Sequence, residues 1–272
     1  MHTWMMIQGS LTHQERTRTF HIVEPVGSTR DALIFFHGSR QSGTVVRKFT
    51  NETFDALPFL VVYPDGVEKH WNDARVGLDE RTRQLGVDDV GFFVRLVAHL
   101  RKNYGISRIF IAGYSNGGQM VLRLMHQVPK MLSGAATIAA NMPAPANTLA
   151  EVKKFKAHPV PYFSMAGTAD PYSPFEGGIA GIDNNSRRGD SLSAFDSAAY
   201  IAQRNGLNVP VHEDVNEVAS IDRWEGKNPV EFWTLNGIGH LVPSDRDYPS
   251  FLGPSTTKVQ AAREIGRFFK GF

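Results

Sequence analysis

Short apolar runs alternate along the chain with longer amphipathic stretches, the pattern of strands joined by crossover helices. Thr19 to Val23 and Ala32 to Phe36 read as strands, the second ending in the turn-forming run His37-Gly38-Ser39-Arg40-Gln41-Ser42-Gly43. A helix is expected next, reaching Leu57. Phe59 to Tyr63 is a compact strand closed by Pro64-Asp65-Gly66, where proline fixes φ and glycine tolerates the left-handed region. From Asp88 to Tyr104, Val90, Phe93, Val94, Val97, Leu100 and Tyr104 recur at helical spacing, with Asp88 or Asp89 as the cap. Ser107 to Ala112 reads as a buried strand, followed by a glycine turn and a helix from Gln119 to His126. Gly134 to Ala139, Pro161 to Ala166 and Val230 to Leu235 supply further strands, and Thr257 to Phe269 a closing amphipathic helix.

This order predicts an α/β fold with a mostly parallel central sheet covered by helices on both faces. Between Pro171 and Ser191 periodicity gives way to Gly, Asn, Ser and Arg, the mark of an irregular loop that shapes a substrate pocket. With 272 residues the chain suits one large domain, residues 1–272, and leaves little room for a second.

Composition narrows the function. At 42% hydrophobic and 21% charged residues the chain is an ordinary globular protein, and its net charge of +2 with no basic run longer than Arg16/Arg18 or Arg187/Arg188 argues against a nucleic-acid partner. A neutral or weakly anionic small molecule is the expected substrate. Cysteine is absent, so neither disulfide nor thiol chemistry is available. The apolar runs are strand-length, short of the ~20 residues that span a bilayer, and Met1 to Ser10, despite Trp4, Met5, Met6 and Ile7, has no basic leader. Cytoplasmic residence is the default expectation, although a mature chain whose leader had been removed would read the same way.

Chemistry concentrates in Gly113-Tyr114-Ser115-Asn116-Gly117, a G-x-S-x-G sequence after a predicted strand and before a predicted helix. Two glycines let the chain turn so sharply that the serine oxygen projects above the sheet. A serine hydroxyl needs a base. His240 follows the last predicted strand in a glycine-rich loop and supplies it, whereas His126, His158 and His212 read as ordinary structural residues. The base needs an acid to fix its tautomer, and Asp170 follows the strand ending at Ala166 in the order serine, acid, histidine. Asp183, Asp190 and Asp196 are placed less well. An oxyanion formed at Ser115 calls for donors; the backbone N–H groups of Asn116 and Ser39 are the candidates, with His37 bracing the Ser39 loop. Trp71, Tyr114, Tyr172 and Phe175 fall on or near loops around this point and are candidate substrate contacts. Asp88 and Asp89 read as a helix start rather than a catalytic pair. No cluster has metal-ligand spacing and no glycine motif has phosphate-loop form, so neither metal nor other cofactor is expected.

Taken together, His37-Gly38-Ser39-Arg40-Gln41, Tyr63-Pro64-Asp65-Gly66, Trp71-Asn72, Val87-Asp88-Asp89-Val90-Gly91-Phe92, Gly113-Tyr114-Ser115-Asn116-Gly117-Gly118, Gly167-Thr168-Ala169-Asp170-Pro171 and Gly239-His240 resemble the polyhydroxybutyrate depolymerase and feruloyl esterase family, a group related to esterase D within the α/β hydrolases. The matches span most of the chain. The resemblance implies the α/β-hydrolase fold and cleavage of carboxylic esters by Ser115, Asp170 and His240. Members commonly carry cysteine where this chain has Ser39 and an aromatic residue where it has Val242, and secreted members add an export signal and a polymer-binding module. These departures favour soluble esters over solid polyester. Two further readings use the same residues: an acyltransferase, in which another nucleophile resolves the acyl-enzyme, and a binding protein that keeps the pocket without the chemistry.

Overall fold

A computed structural model describes residues 5–154, 156–181 and 187–272, with Arg187 described by its backbone alone. Trp4, Asp183, the Arg187 side chain and residues 182–186 of the anticipated loop lie outside what is described.

In chain order, β1 (Met6–His13), β2 (Arg16–Val23) and β3 (Asp31–Phe36) precede α1 (Gly43–Phe49), and β4 (Leu60–Pro64) precedes α2 (Arg81–Gln84) and α3 (Asp89–Tyr104). Next come β5 (Arg108–Tyr114), α4 (Asn116–Gln127), β6 (Gly134–Ile138), α5 (Ala150–Lys153) and β7 (Tyr162–Gly167). The hairpin β8 (Gly178–Gly181) and β9 (Arg187–Ser191) leads to α6 (Ala194–Arg204), after which β10 (Val211–Asn216), β11 (Ala219–Trp224), β12 (Val230–Leu235) and α7 (Ala261–Phe269) complete the chain.

Ten strands form one sheet in the order β1-β2-β4-β3-β5-β6-β7-β12-β11-β10. From β4 to β12 neighbours are parallel; the two outer strands on each side are antiparallel. This is the α/β-hydrolase-like fold with helices on both faces of a sheet that is parallel at its centre, as the strand and helix pattern predicts.

Alternation along the strands divides the core. On β3, Leu33 and Phe35 join one apolar cluster while Ile34 and Phe36 join the other. On β5, Phe110 and Ala112 stand on the first side and Ile109 and Ile111 on the second, because successive side chains leave a pleated strand on opposite faces. One cluster is closed by α3, α4 and α6 through Phe93, Leu96, Met120, Leu124 and Ile201, the other by α1 and α7 through Val46, Ile265 and Phe269.

Several expectations need correction. Val94 is 38% exposed, while Phe92 and Leu96 are buried, so the apolar face of α3 is rotated from the anticipated one. Asp88 alone caps that helix, accepting the Gly91 N–H. Asp89 is buried instead, where it accepts hydrogen bonds from Arg18 at 2.7 Å and from the Asn72 N–H at 2.7 Å. The helix expected to reach Leu57 stops at Phe49 and resumes only as a short 3-10 turn at Thr53–Ala56. The helix expected from Gln119 begins earlier, at Asn116, taking Gly117 and Gly118 of the anticipated glycine turn into its first turn. Part of the anticipated irregular loop is the β8–β9 hairpin.

Candidate active site

The parallel strands deliver their following loops to one edge of the sheet, and the chemistry collects there. The turn after β5 is the tightest of these loops. Ser115 sits at φ 55° and ψ −118°, a conformation that costs a non-glycine residue about 1–3 kcal/mol. The surrounding glycines are what make it possible. A Cβ on Gly113 would lie 2.3 Å from the Gly117 carbonyl oxygen, and one on Gly117 would lie 2.1 Å from the carbonyl oxygen of Phe36. Only bare backbone lets the start of α4 cross the end of β3 so closely. The crossing accounts for Gly117 in the first turn of α4, while Gly118 faces Ala140, whose Cβ would lie 2.5 Å from an added methyl.

His240 reaches this point from the loop after β12. Its Nε2 lies 2.9 Å from Ser115 Oγ, and its Nδ1 lies 2.7 Å from Asp170 Oδ2. The loop after β7 carries Asp170, whose other oxygen, Oδ1, accepts the backbone N–H groups of Tyr172 and Ser173, each at 2.8 Å. Those bonds fix the carboxylate while its Oδ2 meets the imidazole. The histidine is fixed from the other direction as well: its N–H donates to the Leu252 carbonyl at 2.6 Å, and its own carbonyl accepts the Tyr114 hydroxyl at 2.7 Å. Burial, followed by the charge of Asp170, keeps that phenol well above its usual pKa, so it remains a neutral donor. The structure thus joins Ser115, His240 and Asp170 in one hydrogen-bonded chain.

Asn116 follows Ser115 in the chain, and Ser39 lines the same cavity. Asn116 is the first residue of α4, so its N–H has no acceptor within the helix. Its side chain is pinned, with Oδ1 accepting the Trp71 N–H at 2.8 Å and Nδ2 donating to the Trp71 carbonyl at 3.1 Å and to Asp73 Oδ2 at 2.7 Å. In the loop after β3, Gly38 donates to Gln41 Oε1, Arg40 to the Lys69 carbonyl and Gln41 to the Gly38 carbonyl. Ser39 alone of these four keeps a free N–H. His37 braces the loop: its Nδ1 is 2.8 Å from the Gly38 carbonyl and its Nε2 accepts the Gly66 N–H at 2.9 Å. The two contacts define the neutral Nδ1–H tautomer, and burial pushes its pKa down to about 4.

A cavity of about 480 Å³ opens over Ser115 and His240, with Ser39, Tyr114 and Tyr172 in its wall. The Tyr172 ring stands edge-on to the His240 ring at 5.2 Å. Two other candidate contacts lie elsewhere. Trp71 is fully buried and donates its Nε1–H to the His37 carbonyl at 3.0 Å, so it supports the Ser39 loop from beneath rather than meeting the cavity. Phe175 stacks on Phe232 at 6.2 Å and belongs to the core rim. Phe49, Tyr248 and Phe251 provide the additional aromatic lining, and Gln119, Asn147, Arg75 and Arg188 also reach the cavity without any local signal in the sequence. Among the described residues no cluster of His, Asp and Glu could hold a metal ion, and no helix is long and apolar enough to cross a membrane.

Comparison with known proteins agrees with this architecture. Residues 93–182 match the phospholipase/carboxylesterase family. A curated relative from Nocardia uniformis subsp. tsuyamanensis, provisionally named esterase NocK, is 29% identical over 171 residues, which cover 60% of this chain and 48% of the relative. The match therefore spans about half of that protein's length. Among solved structures, an acetyl xylan esterase from Aspergillus awamori superimposes with a TM-score of 0.61 at 13% identity, covering 88% of this chain and 96% of its own. A protein designated pOPH gives 0.57 at 14% identity, with 87% and 81% covered. At such identities the likeness is one of fold.

Proposed function

We propose that the protein is a serine esterase that hydrolyses carboxylic esters through an acyl-enzyme, with Ser115 as nucleophile, His240 as base and Asp170 as the acid that orients it. The single observation that carries this reading is the contact sequence Ser115 Oγ, His240 Nε2, His240 Nδ1, Asp170 Oδ2, at 2.9 and 2.7 Å, beneath an open cavity. The match to a phospholipase/carboxylesterase family and the name of the Nocardia relative support it.

In the proposed reaction His240 Nε2 takes the Ser115 proton as Oγ bonds to the ester carbon. Negative charge on the former carbonyl oxygen is met by the N–H groups of Asn116 and Ser39 and by the N-terminal end of the α4 dipole. Collapse of this intermediate breaks the bond to the alcohol, which leaves with the proton held on His240. Water then gives a proton to the same nitrogen as it attacks the acyl carbon, and collapse of this second intermediate releases the carboxylic acid while His240 returns the proton to Ser115 Oγ. Asp170 holds the imidazole in orientation and stabilises the imidazolium. Oxyanion donors in such sites contribute about 3–4 kcal/mol each to barrier lowering.

The aromatic lining of Phe49, Tyr114, Tyr172, Tyr248 and Phe251 suits soluble short-chain esters and aryl acyl groups of the hydroxycinnamoyl type. That specificity accords with the resemblance to polyhydroxybutyrate depolymerases and feruloyl esterases. A panel of p-nitrophenyl and hydroxycinnamoyl esters tests the reading: turnover by the wild-type protein that disappears in a folded Ser115→Ala variant is expected, and undiminished turnover by that variant refutes it.

A further inference from the structure

The cavity that holds Ser115 is lined by four arginines, Arg40, Arg75, Arg188 and Arg246, and among the described residues no aspartate or glutamate lines it. In a chain whose net charge is only +2 this is a concentrated cationic surface. Arg40 and Arg246 stand at the solvent-facing rim; Arg75 and Arg188 are buried in the wall, 8% and 4% exposed. Their carboxylate partners pair with them without joining the lining: Asp73 holds Arg75 at 2.5 Å, and Glu80 holds Arg188 Nη2 at 2.5 Å.

Arg188 is incompletely satisfied. Its Nη1 is buried and has no hydrogen-bond partner among the described residues. An ion pair serving only the fold would engage both ends of the guanidinium, because an orphaned buried donor opposes folding. The strand that carries it is firmly seated: Asn147 Nδ2 donates to the carbonyls of Arg188 and Asp190, each at 2.9 Å. Gly189, at φ +75°, lets that amide approach so closely that a Cβ would stand 2.5 Å from it. Burial, and after it the neighbouring Arg75 charge, disfavours the Arg188 cation. A counter-charge in the cavity relieves both effects. A second lining residue, Gln119, also carries an orphaned buried atom, its Oε1, an uncharged acceptor suited to a hydroxyl or N–H on the same molecule.

We propose that this wall is an anion subsite: the ester carries a carboxylate, received by Arg188 Nη1 beside Arg75, while its acyl carbon lies over Ser115. The planar two-oxygen group matches a guanidinium edge. The inference rests on the esterase reading and adds the substrate class to it.

Two matched pairs of esters test it, one with the charge on the acyl side and one on the alcohol side. The first pair is p-nitrophenyl hydrogen glutarate and its methyl-capped diester; the second is 4-acetoxybenzoate and its methyl ester. In the wild-type protein the charged member of at least one pair is expected to show kcat/KM about tenfold higher or more, as one charge-assisted hydrogen bond would give. The ratio should shrink as salt screens the charge. Arg188→Gln should bring it to near one, and Arg188→Lys should restore part of it. Each ratio is taken within one variant, and the wild-type ratio decides the matter even if Arg188→Gln fails to fold. Hydrolysis of the neutral esters with no charged preference in either pair overturns the anion subsite and leaves the esterase reading standing, as does a preference that survives in folded Arg188→Gln. No turnover of any of the four, by protein whose Ser115 also resists a fluorophosphonate, overturns the esterase reading and the subsite with it.

Discussion

The cavity has two kinds of wall. One is made by the loops after β3, β5, β7 and β12 and carries Ser39, Ser115, Asp170 and His240, each placed within a few residues of a central parallel strand. The other comes from the segment around Arg75 and from the β8–β9 hairpin with Arg188 and Gly189, held to each other by Asn147 outside the main sheet. In the first wall backbone geometry does the positioning, through glycine crossings that admit no side chain and a carboxylate fixed by two N–H groups. In the second, side-chain pairs such as Arg75–Asp73 and Arg188–Glu80 do it. On the proposed reading, the difference teaches that reactivity is built on the sheet, whereas discrimination between esters belongs to a clamped appendage. Substitutions in the sheet-borne wall should therefore slow all esters alike, and those in the hairpin wall should reorder them.

The largest effect is expected at Asp170. Asp170→Asn leaves the packing intact but offers His240 Nδ1 the wrong partner, and kcat should fall by about 10⁴-fold for every ester tested; a fall confined to some esters would erase the distinction between the walls. The next is pH. His37 and His126 are both held neutral, with burial lowering each to about 4, while the unfolded chain titrates each near 6.5. Between these values the unfolded state binds more protons, so the stabilisation is present above pH 6.5 and is lost as pH falls towards 4. Each histidine should remove about 1.4 kcal/mol of stability per pH unit in that window, measurable as the urea midpoint; a flat profile from pH 7 to 4.5 would contradict the neutral His37 brace.

Gly117→Ala follows. Its methyl meets the Phe36 carbonyl at 2.1 Å, and overpacking of this kind costs about 1–3 kcal/mol. Denaturant unfolding should register that loss, together with a drop in kcat of at least about 100-fold as α4 shifts. Smallest is Trp71→Phe, which deprives the buried His37 carbonyl of its donor. About 1 kcal/mol of stability should go, with KM for aryl esters unchanged within about twofold. A large rise in KM would return Trp71 to the substrate site.

These two walls also differ in how far the sequence foretells them. The G-x-S-x-G turn, the Asp170 loop and the His240 loop are each local, recognisable from the strand before them, and the structure brings their three side chains together. Arg188 has no such signature, because its placement depends on Asn147 and Glu80, far off in sequence. Trp71 and Phe175 show the converse: proximity to the site in the chain did not put them on the cavity surface. Among the elements, the central strands announce themselves as fully buried apolar runs. Edge strand β10, Val211–Asn216, is mostly exposed and polar and gives little periodic signal. β1, with alternate residues only half-buried, is similarly faint. Helix α6 is rich in alanine and follows the irregular stretch directly, which obscures its start at Ala194 behind the Ser193 cap.

The claim on which the rest depends is that Ser115 is activated by His240. Treating the purified protein with a fluorophosphonate and mapping the adduct by peptide mass spectrometry tests it most directly. One adduct on Ser115 is expected, absent from Ser115→Ala and formed far more slowly in His240→Gln. A serine that stays unmodified in folded wild-type protein, or one that reacts equally fast without His240, would contradict it.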